Sequence, residues 1–363
     1  MTKNIIQKED KKSSGFSLLK SIGFILTGLI IGFGLSYFYI NTIQEFNQIK
    51  EIKTAFPIKS KPLNLTNPEI QELNFSYSHK RLDDFSSEIT ATINSLVKHQ
   101  KIKSWSLYFR DLTSDYFFGI NEDETFSPAS LMKVPIMIAI LKYAMENPNI
   151  LNYTMTYNAR RDVEYLDKEF TQFPSETYMV IGETYDVNRL LEFMVASSDN
   201  EATILLLDVL DFHNSKILTE VQHDLGLDIP KNIKYNDNFL TARKYSSFFR
   251  TLYNASYLNP EMSNKALNYL AKTGYGFGIK QSIPQNLVIC HKFGYQIEDS
   301  KNYQLHHFAI VYHLKKPYLI GIMTKGHYVE ELKKAITEIS KICYDEVETQ
   351  TKGDLDGLEK DLE

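Results

Sequence analysis

Residues 126–145 read FSPASLMKVPIMIAILKYAM, a short turn-like segment followed by a long apolar run. The first four residues include Ser and Pro and indicate a turn, whereas the run from Val134 to Met145 predicts a buried helix. Ser130 lies at the expected N-terminus of this helix, where free N–H groups and the helix dipole favour developing negative charge. Lys133 follows three residues later and would share a face of the helix with Ser130.

Ser130 and Lys133 have the residue types of a nucleophile and its base. An alcohol is a poor nucleophile until a base removes its proton. A lysine with its usual pKa of about 10.4 is charged at neutral pH, but burial and a neighbouring cation both lower the pKa of a lysine. The pair therefore predicts a serine nucleophile whose base needs a second cation close by.

Two later strings supply a hydroxyl and that second cation. They are Ser198-Asp199-Asn200 and Lys292-Phe293-Gly294. We expect the Ser198 hydroxyl to lie between the amines of Lys133 and Lys292 and to relay a proton toward the leaving group. The stretch from Leu287 to Phe293 is followed by Gly294, and it predicts a strand that lines a cleft.

The three strings, in this order, resemble the class A β-lactamase and penicillin-binding-protein superfamily, and specifically its class A β-lactamase-related serine hydrolases. The resemblance runs from about residue 82 to about residue 345. Outside the three strings, the segments that resemble the family are Trp105 to Asp111, Tyr116 to Asn121, Ile181 to Tyr185, Val187 to Ala196, Ile283-Pro284, Phe308 to Tyr312 and Tyr318 to Gly326.

The resemblance implies an α/β fold of the β-lactamase/transpeptidase type. Strands from Trp105 to Asn121 and from Leu287 to Lys325 would form a five-stranded antiparallel sheet, flanked by the two terminal helices. Helices from Ser130 to Thr273 would form an inserted all-helical subdomain. Ser130 would then lie at the junction of the two halves.

The resemblance also implies roles for individual residues. Ser130 would be the nucleophile, Lys133 the general base and Ser198 the proton relay. Asn200 would bind the substrate amide and steady Lys133, while Lys292 would attract the substrate carboxylate and tune Ser198. These residues would carry the acylation chemistry and hold the substrate.

The third string would complete the substrate site. The backbone N–H groups of Ser130 and Tyr295 would form the oxyanion hole, and donors of this type contribute about 3 kcal/mol each. Phe293 and Gly294 would line the substrate beside them. Phe293 stands where the family usually has a Thr or Ser hydroxyl for the substrate carboxylate, so one anchoring hydrogen bond is missing unless a neighbour supplies it.

Other strings compete with those chosen. Ser95 to Lys98 and Ser17 to Lys20 also fit S-x-x-K, but the first lies in an expected amphipathic helix and the second beside an apolar segment. Lys272-Thr273-Gly274 matches the usual Lys-Thr-Gly better than the third string does. It ends a helical stretch with Gly274 as the C-cap, whereas the chemistry needs a lysine on a strand, which favours Lys292.

The release of the acyl group has no assigned base. Class A β-lactamases carry a glutamate, in an E-x-x-x-N loop after the S-D-N turn, which activates the deacylating water. The segment from Asp224 to Leu240 contains no glutamate, and Asp237 is its last carboxylate, either a water base or a turn former.

Three functions follow as alternatives: a class A type β-lactamase that opens the lactam ring through an acyl-enzyme, a penicillin-binding-like D-alanyl-D-alanine carboxypeptidase or transpeptidase with slow deacylation, and a catalytically silent cell-wall-binding module.

The ends of the chain predict a membrane anchor, a linker and a tail. Residues 21–40 are mostly apolar and uncharged, long enough to cross a bilayer, and the lysines in residues 1–20 place that end in the cytoplasm. Residues 41–80 predict an extracytoplasmic linker, residues 81–345 the hydrolase domain, and residues 346–363 an acidic disordered tail. The hydrolase domain would then face the cell wall and its D-alanyl peptides.

Charge and composition disfavour several other classes. A net charge of -5 without a basic stripe gives no sign of a nucleic-acid partner. Cys290 is expected on the cleft side of the sheet and Cys343 behind it, which disfavours a disulfide. His306, His307 and His313 have no acidic or cysteine partner at ligand spacing, so we expect neither a metal nor another cofactor.

Overall fold

The computed structural model describes residues 63–66, 86–98 with gaps at 88, 93 and 96, 102–158 except 115, 179–299 except 228 and 233–236, and 301–360. The expected cytoplasmic segment 1–20, the expected anchor 21–40 and most of the expected linker lie outside these residues. In the part of the chain that is described, no helix combines the length and the hydropathy that a membrane span requires.

Five of the described strands form one antiparallel sheet in the order β2-β1-β7-β6-β5, and two short strands, β3 and β4, pair with each other. The strands are β1 Ile102–Asp111, β2 Phe117–Ile120, β3 Thr154–Thr156, β4 Thr184–Asp186, β5 Ile289–Asp299, β6 Asn302–Val311 and β7 Tyr318–Gly326. In the register of the sheet, Lys292 on β5 faces Phe308 on β6. The predicted five-stranded antiparallel sheet is confirmed.

The helices lie before, between and after these strands. They are α1 (described residues between 86 and 98), α2 Lys133–Glu146, α3 Val187–Ala196, α4 Asn200–Asn214, α5 Ile217–Asp224, α6 Ala242–Tyr253, α7 Pro260–Ala271, α8 Ile279–Ser282 and α9 Val329–Lys360. Two 3₁₀ turns, Ala129–Met132 and Pro148–Asn152, lie on either side of α2. The helices between β2 and β5 form the predicted helical subdomain.

The sheet separates two apolar layers. On one face, Phe308 packs with the helices of the subdomain. On the other face, Phe109 packs with Ile89 of α1 and Ile336 of α9, so both terminal helices cover this side. The alternation of side chains along each strand divides them between the two layers. The predicted α/β architecture, with the terminal helices on one face of the sheet and the helical subdomain on the other, is therefore confirmed.

Helix α2 is buried on almost every side, as its apolar sequence predicts. Ten of its fourteen residues are buried. A helix that is apolar all round belongs in an interior, because no face gains from contact with water. Pro135 is tolerated in its first turn, where a backbone N–H would have no partner within the helix. The helix gives a rigid base for the residues that precede it.

The two cysteines lie on opposite faces of the sheet, as strand parity predicts. Cys290 belongs to the layer beneath the helical subdomain and Cys343 to the layer beneath α9. Both thiols are fully buried, and burial raises the pKa of each above its ordinary value.

The disordered tail predicted for residues 346–363 is wrong as far as residue 360, because α9 continues to Lys360. Val347 and Thr351 are buried one turn apart, which extends the helical spacing beyond Cys343. The amide of Gln350 donates to Glu346 at 2.9 Å, within the same stretch. The sequence therefore has more to bury here than its acidic composition suggests.

Part of the expected linker packs against the hydrolase domain. Leu65 is 4% exposed, its N–H donates to Asn264 Oδ1 at 2.7 Å, and its carbonyl accepts from the Tyr312 hydroxyl at 2.5 Å. Asn268 donates to the carbonyl of Leu63 at 2.9 Å. Residues 63–66 therefore belong to the packed structure and not to a free linker.

Candidate active site

The three strings of the sequence meet at the junction between the sheet and the helical subdomain. Ser130 lies in the turn before α2, Ser198 in the turn between α3 and α4, and Lys292 on strand β5. Lys133 Nζ lies 3.0 Å from Ser130 Oγ and 3.1 Å from Ser198 Oγ. Lys292 Nζ lies 2.8 Å from Ser198 Oγ. The structure thus brings together two hydroxyls and two amines, as the sequence predicts.

Ser130 lies in a 3₁₀ turn and not yet in the α-helix that the sequence predicts around it. The turn spans Ala129–Met132, and α2 begins at Lys133. Side chains three apart are eclipsed in a 3₁₀ helix, which brings Ser130 and Lys133 face to face. Ala129, directly before Ser130, has φ of 47°. A non-glycine residue in this left-handed region costs about 1–3 kcal/mol and persists only when its surroundings hold it.

Two buried side chains of β6 bind the backbone of Ser127, which leads into the Ser130 turn. The Ser127 N–H donates to Gln304 Oε1 at 3.0 Å, and His306 Nε2 donates to the Ser127 carbonyl at 3.0 Å. The other ring nitrogen of His306 accepts from the Thr324 N–H at 3.3 Å, which fixes the tautomer. Burial lowers the pKa of His306 to about 3, so its ring is neutral. Sequence reasoning missed Gln304 and His306 as supports of the Ser130 turn.

Gly294 lets strand β5 pass directly against this turn. A Cβ at residue 294 would lie 2.9 Å from Leu131 Cγ and 2.9 Å from the Pro128 carbonyl oxygen. These distances are too short for a real side chain, so the position needs glycine. The backbone of Tyr295 follows at once, beside the Ser130 turn, where the sequence predicts the second N–H of an oxyanion hole.

Gly294→Ala is expected to displace either β5 or the Ser130 turn, because the backbone of Pro128 cannot move alone. Overpacking of this kind costs about 1–3 kcal/mol. We expect a lower melting temperature and, at a temperature where the variant is folded, at least about a tenfold slower reaction at Ser130 with a serine-directed acylating probe. The matched control is Gly274→Ala, where an added Cβ meets nothing within 4 Å. Equal behaviour of the two variants would contradict the close approach.

The turn that carries Ser198 is also conformationally strained. Ser198 has φ of 54°, again in the left-handed region for a residue with a side chain. Asp199 is the N-cap of α4, and its carboxylate accepts from the Ala202 N–H at 2.8 Å. Asn200 opens the helix and is buried. The cap fixes where α4 starts and therefore where the Ser198 and Asn200 side chains point.

Lys133 has a hydrogen-bond environment that suits a base. Its Nζ lies 2.6 Å from the Ser198 carbonyl oxygen and 2.6 Å from Asn200 Oδ1, in addition to the two serine hydroxyls. These two carbonyl oxygens can only accept, so each takes a hydrogen from the amine. A neutral amine has two hydrogens and one lone pair. A neutral Lys133 would therefore have one lone pair left, which could accept a hydrogen bond from the hydroxyl of either Ser130 or Ser198.

Lys292, by contrast, has an environment that suits a cation. It is fully buried, donates to Ser198 Oγ and to the Phe293 carbonyl at 3.2 Å, and lies 4.6 Å from the centroid of the Phe293 ring. The ring face is a favourable partner for an ammonium group. Lys292 therefore lies beside Ser198 where the sequence predicts it, and its role as the second cation stays a prediction.

The ring of Phe293 is packed away in an aromatic cluster. The side chain is 2% exposed. The centroid of its ring lies 4.4 Å from that of Tyr275 and 5.2 Å from that of Phe277, and both pairs pack edge to face. The ring therefore contributes packing and a surface for Lys292, and it offers no hydroxyl. The role of Phe293 in binding substrate stays a prediction, as do the roles of the other site residues.

The competing strings that the structure describes lie elsewhere, and Ser17 to Lys20 is outside the described residues. Lys272 is the C-cap of α7, so the expectation of Gly274 as the C-cap is wrong, and Lys272 Nζ pairs with Glu192 at 2.9 Å near the surface. Ser95 is exposed on α1. Asp237 is exposed in the loop before α6, and its part in deacylation stays a prediction.

The buried histidines of β5 and β6, and His313 after β6, have polar partners within the fold. His291 Nδ1 lies 2.9 Å from His307 Nε2, and burial lowers the pKa of His291 to about 3. His313 lies 3.3 Å from Glu348. Within the described residues, no group of three or more His, Cys, Asp or Glu side chains could hold a metal ion.

Comparisons with known proteins bear on the family and the fold. The model of the β-lactamase enzyme family matches residues 88–347, which is more than half of the chain. No curated protein sequence matches the chain.

Solved structures with the same fold include PBP-A, at 21% identity and a TM-score of 0.59, covering 72% of this chain and 97% of that one. The last common ancestor of Gram-negative bacteria class A β-lactamases is similar at 18% identity and a TM-score of 0.59, covering 71% and 99%. A β-lactamase from Xanthomonas campestris pv. campestris is similar at 15% identity and a TM-score of 0.58, covering 72% and 98%. At such identities the likeness establishes the fold. With the family match, it follows that the chain belongs to the β-lactamase enzyme family and is a serine hydrolase of the β-lactamase type, which acts on amide bonds.

Proposed function

We propose that the chain forms an acyl-enzyme through Ser130 with β-lactams or D-alanyl peptides and releases the acyl group slowly. The observation that carries the proposal is the environment of Lys133. Its amine contacts the hydroxyls of Ser130 and Ser198 while the carbonyl oxygens of Ser198 and Asn200 engage its hydrogens. A base is thus aimed at a nucleophile and at a proton relay together.

In the proposed acylation, the Lys133 amine takes the proton of Ser130 Oγ as that oxygen bonds to the carbonyl carbon of the substrate. The resulting oxyanion accepts hydrogen bonds from the backbone N–H groups of Ser130 and Tyr295, worth about 3 kcal/mol each. The bond to the amide nitrogen then breaks. Ser198 donates its hydroxyl proton to that nitrogen and is reprotonated from Lys133, while Lys292 keeps the Ser198 oxygen in place.

Slow release is expected because the segment that would supply a water base has no glutamate. Asp224 to Leu240 contains only aspartates as carboxylates. A variant of PBP-A, a fold neighbour at 20% identity, has been solved as an acyl-enzyme complex with penicillin G. Rapid β-lactam hydrolysis is the second candidate function, favoured by the match to the β-lactamase enzyme family.

The test is to label the full-length chain with a fluorescent penicillin and to follow both the covalent adduct and its decay. We expect an adduct that forms within minutes and persists over hours. Decay within seconds, with turnover of intact drug, would favour the second candidate and would make Asp237→Asn the first variant to examine. The absence of any adduct would reject the proposed function and favour a cell-wall-binding module.

The proposed setting is the outer face of a cell membrane, beside the cell wall. Support comes from the uncharged apolar residues 21–40 and from the lysines that precede them. This segment lies outside the described residues. A single-pass anchor with a cytoplasmic N-terminus would hold the hydrolase domain on the side where D-alanyl peptides occur.

A further inference from the structure

Tyr275 joins the two halves of the active site. It lies in the loop between α7 and α8 and packs against the apolar layer that contains Phe293 and α9. Its hydroxyl donates to the Ser197 carbonyl at 2.9 Å. Its ring packs edge to face on the Phe293 ring of β5, with 4.4 Å between the ring centroids. One side chain thus contacts both the residue before Ser198 and the residue after Lys292.

The carbonyl that Tyr275 binds is at the end of a helix. Ser197 is the C-cap of α3, and the last carbonyls of a helix have no partner within it. The N–H groups of Ser197 and Asp199 both donate to the Phe193 carbonyl, which ties this turn to its own helix. Tyr275 also connects this turn to strand β5.

Such a tie acts where the backbone is under strain. Ser198 holds φ of 54°, a left-handed conformation that residues with a side chain rarely adopt. The strained turn puts Ser198 Oγ 3.1 Å from Lys133 Nζ and 2.8 Å from Lys292 Nζ. A relaxed turn would lengthen at least one of these contacts.

We propose that Tyr275 is a positioning residue, which holds the Ser197–Ser198 turn against β5 so that the Ser198 hydroxyl stays between Lys133 and Lys292. The proposal rests on the function proposed above for Ser198. Tyr275 itself takes no proton and contacts no reacting atom. The Tyr275 hydroxyl fixes the position of the Ser198 relay, and the packing of the Tyr275 ring on Phe293 fixes the position of that hydroxyl.

The variant that isolates this contact is Tyr275→Phe, which keeps the ring on Phe293 and removes the bond to Ser197. The matched control is Tyr269→Phe, since the Tyr269 hydroxyl donates to Asn188 Oδ1 at 3.1 Å, away from the serine–lysine cluster. Both variants lose one tyrosine hydroxyl in the same part of the fold.

The first readout is the rate of acylation of the full-length chain by a fluorescent penicillin, measured over a range of concentrations. For Tyr275→Phe we expect the limiting rate constant to fall about fivefold to tenfold with the half-saturating concentration unchanged, because one hydrogen bond contributes up to that much. Tyr269→Phe should leave both parameters unchanged. An unchanged limiting rate in Tyr275→Phe, or an equal loss in the control, would overturn the positioning role.

The second readout does not depend on activity. Hydrogen–deuterium exchange should be severalfold faster in the peptide that contains residues 197–202 of Tyr275→Phe, and unchanged there in Tyr269→Phe. Unchanged exchange in Tyr275→Phe would overturn the proposal. If the wild-type chain takes no label, the proposed function fails, but exchange still decides whether Tyr275 holds the turn.

Discussion

Replacing Ser130 by alanine should abolish covalent labelling of the full-length chain by a fluorescent penicillin, a loss of at least about a thousandfold. The reason is chemical: Ser130 Oγ is the hydroxyl that lies 3.0 Å from the Lys133 amine at the start of the buried helix α2. The variant should remain folded, because alanine fits the space of a serine side chain and suits a helical turn. Gel fluorescence after a fixed exposure measures the loss, and thermal unfolding checks the fold.

Two serines give matched controls. Ser127→Ala removes a hydroxyl that is buried three residues before Ser130 and has no hydrogen-bond partner in the described part of the chain. Ser95→Ala removes the serine of a competing S-x-x-K string, which is exposed on α1. Both variants should take up label at the wild-type rate. Labelling that survives in Ser130→Ala, or disappears in Ser95→Ala, would reject Ser130 as the nucleophile.

Replacing Lys133 by methionine should slow acylation about a thousandfold while leaving Ser130 in place. Methionine matches the length of lysine but can neither accept a proton nor donate, and general bases contribute about 10²- to 10⁴-fold. Lys292→Met should have a smaller effect, about a hundredfold, because the lysine acts on the reaction through Ser198 and the substrate charge. Stopped-flow or quenched labelling of the full-length chain measures both rate constants.

The control for the lysines is Lys272→Met, since Lys272-Thr273-Gly274 matches the usual third string more closely. Lys272 is near the surface and pairs with Glu192. We expect its replacement to leave acylation unchanged. A loss in Lys272→Met as large as that in Lys292→Met would contradict the assignment of the strand lysine. Removing Lys133 also removes its hydrogen bond to the buried Asn200 side chain, so the unfolding temperature should fall as well.

The sequence carried enough information for the sheet and for the cluster at its edge. Lys133 lies three positions after Ser130, so their proximity is a local property of one turn. Strand parity placed Cys290 on the same face of the sheet as Lys292, and helical spacing placed Cys343 on a helix behind the sheet; the structure puts the two cysteines in different layers. The order of elements in the fold and the roles of the site residues were expected from the family resemblance.

The supporting contacts could not be predicted because they depend on register between distant elements. Gln304 and His306 reach Ser127 across 177 and 179 residues, and Tyr275 reaches Ser197 across 78. No local pattern marks such pairs. Composition also misled at the C-terminus, where Val347 and Thr351 are buried within an acidic stretch, so that the helix continues beyond the expected tail.

The most direct test of the serine acyl-transfer site is the mass of the full-length chain after exposure to penicillin, followed by fragmentation of its peptides. The site predicts an increase by the mass of one intact penicillin, carried by Ser130 alone. An unchanged mass, or an adduct on any residue other than Ser130, would contradict the account.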